Sequence, residues 1–236
     1  MPASPGGPVG GLIQRSTLRQ QIADALRDEV TAGRLPPGRQ FTVKEIAEQY
    51  GVSATPVREA LLDLTAQGLL DVEQHRGFRV HTFSVDDFRA MVGARTLIVE
   101  GVFRGAAQHP DLALDPTVLA AVTRRAEEAE RAARAGDLDV LIGYELRFWR
   151  EICRLVDNPY ITGFLDRLRV QAWVFAVPLL RRRGDLRGRL WQRHRALAGA
   201  LQEGDLDEVQ RMVLDYNEHC LSLVRDLGPP GPPALR

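Results

Sequence analysis

Two cysteines in 236 residues are too few for a disulfide framework. Cys153 and Cys220 show no CxxC spacing, so a thiolate zinc site is equally disfavoured and two buried free thiols are expected. No apolar run approaches the ~20 residues needed to cross a bilayer. The opening MPASPGGPVGG has neither the basic start nor the apolar core of an export signal, which implies a cytoplasmic chain with no membrane partner. Net charge is missing too: 31 Lys+Arg face 31 Asp+Glu, and residues 1–82 hold nine of each. Bulk charge therefore draws no polyanion, and any attraction to phosphates must come from a few placed cations on one face.

What is present is an ordinary globular composition, 44% hydrophobic and 26% charged, which excludes disorder and collagen-like repeats. The length fits one large or two small domains. Residues 1–14, rich in Gly and Pro, and the closing 228–236 read as disordered tails. The span 15–82 reads as one domain and 83–227 as a second, all-helical one.

In the first domain, STLRQQIADALRDEVTAG places Leu18, Ile22, Leu26 and Val30 every four residues, and Gly33 closes the run. LPPG is a turn, FTVKEIAEQY a shorter helix with Ile46 and Ala47 inward, and YGVS a second turn. GVSATPVREALLDL then starts a helix: Ser53 or Thr55 can cap it, and Pro56 tolerates a first turn. Val57, Leu61 and Leu64 make its buried face, leaving Ser53, Ala54, Thr55 and Arg58 exposed at the N-terminal end. Gly68 ends it, and LLDVEQ and FRVHTF, joined by HRG, predict a two-strand hairpin with Gly77 near its turn. Three helices and a hairpin form a winged helix-turn-helix, whose third helix presents small hydroxyls and an arginine to a DNA major groove.

GRLPPG, IAEQYGVS, TPVREAL, GLL and RGFRV occur in the order found in the GntR family of bacterial transcription regulators, and Leu18 to Val80 resembles their DNA-binding domain. The resemblance implies phosphate and base contacts at Lys44, Ser53, Ala54, Thr55 and Arg58, and at the wing pair Arg76 and Gly77. Ala54 departs from it, since the family usually has arginine there; a bidentate arginine on guanine supplies ~1–3 kcal/mol of discrimination that a methyl group does not. The bland readings stay open: Arg58 pairing with Glu59 or Asp63, and Arg79 decorating a strand.

From Val85 onward strand signals vanish. VDDFRAMVGARTLIVEGVFRGAAQ, PTVLAAVTRRAEEAERAARAGD, DLDVLIGYELRFWREICRLVD, PYITGFLDRLRVQAWVFAVPLLRRR, LRGRLWQRHRALAGALQEGD and LDEVQRMVLDYNEHCLSLVRDL predict six helices, an antiparallel bundle. HPDLALDP separates the first two, and Pro178 is expected to kink or end the fourth. Arg95 to Glu100, DNPYI and RHRAL...LQEGD resemble the C-terminal effector domain of the FCD subfamily. That subfamily implies a divalent metal held by an aspartate, a histidine four residues later and two histidines 22 apart. Laid on this chain, the pattern falls on Glu145, Trp149, His194 and Tyr216. Tryptophan cannot ligate a metal and neutral tyrosine is a poor ligand, so no metal cofactor is expected; His219, one turn past Tyr216, would rescue the set only through a register shift.

The chain thus reads as mainly α and as a ligand-responsive regulator, a repressor by family habit, binding a short inverted-repeat operator in double-stranded DNA as a homodimer. A small-molecule effector would sit against Trp149, Tyr216 and Trp173, with Arg95 or His194 fixing its polar end and Glu145 also among the pocket residues. Trp149 and Tyr216 as plain core, in an effector-independent regulator, is the alternative. An enzyme built on Glu145 and His194 lacks a nucleophile motif, a phosphate loop and a complete metal set.

Overall fold

The computed structural model describes residues 17–106 and 115–225. The expected tails, 1–14 and 228–236, lie outside them, as do Ala107 to Leu114. In the N-terminal half α1 (Leu18–Thr31), β1 (Gln40–Phe41), α2 (Val43–Tyr50), α3 (Ala54–Ala66), β2 (Leu70–Glu73) and β3 (Gly77–Val80) follow in order. Thr17 caps α1 by accepting from the Gln20 N–H, and Ile22, Leu26 and Val30 are buried. Leu18 is exposed, because a four-residue repeat drifts off a 3.6-residue period and the first position rotates away from the core. Val57, Leu61 and Leu64 of α3 are fully buried against α1 and the sheet, as their spacing predicts.

Three antiparallel strands stand where a two-strand hairpin was expected, in the order β1-β3-β2. Gln40 pairs with Arg79 and Phe41 with Phe78. Two residues carry no periodicity, so nothing in the chain announces β1; Phe41 is drawn there by burial beside Phe78 and Val80. Gly77, at φ 96°, is where this strand approaches closely: a Cβ would overlap the Phe41 carbonyl oxygen.

The second half holds α4 (Val85–Ala106), α5 (Pro116–Ala135), α6 (Leu138–Cys153), α7 (Pro159–Arg182), α8 (His194–Glu203) and α9 (Leu206–Arg225), the six expected helices, with a single 3-10 turn at Arg154–Val156. Asp115, Asp137 and Asn158 cap α5, α6 and α7 through side-chain oxygens, and Pro116 and Pro159 sit in first turns where a missing N–H is harmless. Pro116 thus initiates α5 rather than merely breaking the chain. Two boundaries differ from expectation. The α7 helix continues four residues past Pro178, its apolar face held by Val177, Leu179 and Leu180 in the core. The segment before His194 is not helical, because Gly184 and Gly188 adopt φ 76° and 71° and turn the chain.

One element serves both halves. Val170 and Val174 of α7 complete the N-terminal core. Beside them Gln171 Nε2 donates to the Gln67 carbonyl at 2.8 Å and Arg181 Nη2 to the Ala32 carbonyl at 2.9 Å, satisfying backbone groups past the ends of α3 and α1.

Candidate DNA interface and bundle pocket

The α2 helix begins with a reciprocal capping box between Thr42 and Glu45 and ends at Gly51, φ 64°, which makes the left-handed turn into α3. Ser53 occupies the N-cap of α3 without a side-chain cap hydrogen bond, so its hydroxyl is not consumed by the helix. Ser53, Ala54, Thr55 and Arg58 are all exposed. Lys44, Ala54 and Arg58 line one surface hollow with Glu48 and Gly51. Lys44 is 84% exposed and only 3.8 Å from Glu48, a loose pair that a phosphate can replace. Asp63, a potential partner of Arg58, instead pairs with Arg19 at 3.3 Å. No ion pair among the described residues holds Arg58.

Arg76 is exposed at the tip between β2 and β3, and Gly77 follows it in the close approach to β1. Arg79 faces the acids of its own sheet, 3.5 Å from Asp71 and 3.0 Å from Glu73, and its charge is answered there. The structure therefore gathers Lys44, Ser53, Ala54, Thr55 and Arg58 around the α2-α3 turn, with Arg76 and Gly77 on the hairpin.

The bundle holds a second candidate site. Glu145 and Trp149 lie one turn apart on α6, His194 opens α8, Tyr216 lies on α9 and Arg95 on α4, all buried. Trp149 Nε1 donates to Glu145 Oε1 at 3.4 Å, and His194 Nε2 stands 3.8 Å from Glu145 Oε2, an electrostatic contact beyond hydrogen-bond reach. The Trp149 and Tyr216 ring centroids are 4.6 Å apart, and Trp191 sits 4.7 Å from His194. Burial pushes the Tyr216 phenol well above its usual range, with Cys220 and Glu145 adding to it. For Glu145 burial acts upward, but the His194 imidazole, with Tyr216 and Trp149 donating, outweighs it and holds the carboxyl below the usual range.

Three of the five expected pocket residues, Arg95, Glu145 and Tyr216, line the cavity, while Trp149 and His194 lie behind its lining, each in ring contact with Trp191. The cavity has about 50 Å³ open to water-sized molecules, and Trp173 also lines it. Arg169, Trp191 and Cys220 were not legible as pocket residues. Arg169 reads in sequence as one more charge on a mixed helix, yet it is buried, with Nη1 donating to Cys153 Sγ at 3.3 Å. The two cysteines are free: Cys153 is buried, as expected, and Cys220 half-buried. The metal set implied by the FCD pattern does not fit these residues. Trp149 spends its only polar atom on Glu145, Tyr216 keeps its proton, and no group of three metal-ligating side chains occurs among the described residues.

Comparison with known proteins agrees with both halves. The model for bacterial regulatory proteins of the gntR family matches residues 18–80, and the FCD domain model matches residues 91–219. The chain is 28% identical over 193 residues, 82% of each chain, to the "Probable D-xylose utilization operon transcriptional repressor" of Paenarthrobacter nicotinovorans. It is 28% identical over 169 residues to the Escherichia coli HTH-type transcriptional regulator McbR, covering 70% of this chain and 72% of that one. The solved structure of E. coli McbR/YncC shares the fold at TM-score 0.70 and 24% identity, across 91% of this chain and 100% of that one. No helix among the described residues is long and apolar enough to cross a membrane. A winged helix with an open polar face, joined to a six-helix bundle enclosing a pocket, places this chain in the gntR family of bacterial regulatory proteins, as a DNA-binding transcription regulator with an FCD domain.

Proposed function

We propose that the protein is a cytoplasmic, effector-responsive repressor that binds a short inverted-repeat operator as a homodimer. The carrying observation is the exposed turn at the start of α3, where Lys44, Ala54 and Arg58 share one hollow and no acid among the described residues holds Arg58. In this reading Arg58, Ser53 and Thr55 reach base edges, and Ala54 offers a methyl group to thymine. Lys44 and Arg76 neutralise phosphates, and Gly77 lets the wing turn toward the backbone. One winged helix buries too little DNA for strong specificity, so two copies should read two half-sites one helical turn apart.

The effector would enter the bundle cavity among Arg95, Glu145, Trp149, His194 and Tyr216. A route to the DNA face is available, since Ala172, Trp173 and Ala176 of α7 line the cavity while Val170 and Val174 of the same helix pack in the N-terminal core. A ligand that shifts α7 would reorient α3, provided it binds one arrangement more tightly than the other. The smallness of the cavity favours one rival, a regulator whose aromatic pocket is core alone.

Selection of bound sequences from random duplex DNA tests the reading. Enrichment of one palindrome, with a changed half-site in Ala54→Arg, is the expected outcome. No enrichment at physiological salt, with or without candidate effectors, would remove the DNA assignment of these residues.

A further inference from the structure

The winged helix is fastened to the bundle of its own chain along one face of α7, where Gln171, Val174, Val177 and Arg181 recur three or four residues apart. Val174, with Val170 beside it, is buried in the winged-helix core. Gln171 meets the turn that ends α3, and Val177 and Arg181 meet the turn that ends α1. Both turns carry glycine. Gly68 and Gly33 hold φ 72° and 71°; a Cβ on Gly68 would stand 2.8 Å from Gln171 Nε2, and one on Gly33 3.1 Å from Val177 Cγ1. A left-handed turn asks for glycine, but it does not ask for a neighbour: Gly51, at φ 64° past α2, would meet nothing within 4 Å among the described residues. The ends of α1 and α3 are thus seats for α7, while the end of α2 stays open.

Gln67 is where this fastening reaches the DNA face. As the C-cap of α3 it accepts from Gln171 through its carbonyl, and its Oε1 accepts from Arg27 Nε at 3.1 Å, so α1, α3 and α7 meet at one residue. The far end of α3 carries Ser53, Ala54, Thr55 and Arg58. Its 13 residues put that end ~20 Å away, and a tilt of ~10° about Gln67 moves it ~3 Å, close to the ~3.4 Å rise of one base pair. Placing the reading end on a given base pair therefore requires the other end to be held. The linker is closed as well: Phe83, between β3 and α4, packs against both the winged-helix core and the cluster of Phe88, Leu168 and Val224.

We propose that Gln171 and Arg181 are positioning residues for operator binding. They clasp α3 and α1 to α7 of the same chain, and the bundle, rather than the linker, then sets the one distance between half-sites that a dimer accepts. A rigidly held second winged helix finds its half-site at the matched spacing and is strained at every other, whereas one on a free linker tolerates several spacings and gains less at each. The inference rests on the operator-binding homodimer proposed above and adds the residues that hold its two reading helices in place.

The test compares the full chain with Gln171→Glu, which sets a carboxylate against the Gln67 carbonyl, and with Arg181→Gln, in two assays. The first uses duplexes bearing two copies of the half-site recovered from random-sequence selection, with base pairs added or removed between them. The wild type should lose roughly tenfold or more in affinity for one base pair of change, and the variants less than about threefold, with the half-site itself unaltered. The second assay contains no DNA: chymotrypsin should cut after Phe83 faster in the variants than in the wild type, at a temperature where all three keep the same circular dichroism. If one variant fails to fold, the other carries the comparison. A spacing preference in the variants like that of the wild type overturns the proposal even where cleavage is faster. So does an altered half-site at unchanged spacing, which would make Gln171 a support of α3 itself. A wild type that enriches no sequence overturns the operator reading and the positioning role together; a clasp without operator binding would still show in the cleavage rates, which keeps the two failures apart.

Discussion

Arginine does opposite things at the two ends of this molecule. Among the described residues no acid holds Arg58, which stands in water, whereas Arg95 and Arg169 are sealed among aromatic rings with nitrogens unmatched. In solvent an unpaired guanidinium costs little and remains available to whatever duplex arrives. In the bundle the same group is a standing deficit, because a buried guanidinium nitrogen without an acceptor has lost its hydration and gained nothing in return. An exposed arginine is therefore read through shape and motif, while a buried one is read through its unsatisfied balance.

The largest expected effect tests what supports the exposed side. Leu61 is fully buried behind the α3 face, and Leu61→Ala should cost ~2–5 kcal/mol in chemical denaturation and carry operator affinity down with it. Rebuilding the other side comes next: Trp149→His with Tyr216→His should gain zinc-dependent stability of about 2.7 kcal/mol at a hundredfold excess over Kd, where the wild type gains none. Zinc stabilising the wild type by the same amount would erase the contrast between a metal pocket and a guanidinium pocket.

Arg58→Ala should weaken specific operator binding by ~1–3 kcal/mol while leaving stability within about 0.5 kcal/mol, since no folded-state ion pair is lost. If stability falls instead and affinity does not, Arg58 belongs to the scaffold. A pH series addresses the pocket. Folded Glu145 titrates below the usual carboxylate range, so its contribution is complete above ~4.3, the unfolded value, and fades as pH falls through the lower folded one. Acid unfolding followed by circular dichroism should therefore show a shallower pH dependence in Glu145→Gln over that window. Smallest of all, Lys44→Ala should weaken binding uniformly across sequences and reduce the salt slope by about one, as expected for a phosphate contact.

The amino-acid order alone determined the DNA-binding half almost residue by residue. Capping residues, Gly51, the Val57, Leu61 and Leu64 stripe and the exposed Ser53, Ala54, Thr55 and Arg58 all act within a few positions of one another, and helix periodicity converts such spacing directly into faces. The six bundle helices were legible for the same reason. Tertiary structure decided what has no local signal: two-residue β1, which exists only because Phe41 finds Phe78 across the sheet, and the persistence of α7 through Pro178, where core packing outweighs a broken hydrogen bond. It also decided the pocket's charge. Arg95, Glu145, Arg169 and Tyr216 come from four different helices, and whether a charge is paired depends on what surrounds it in space, which a neutral composition of 31 cations and 31 anions cannot disclose.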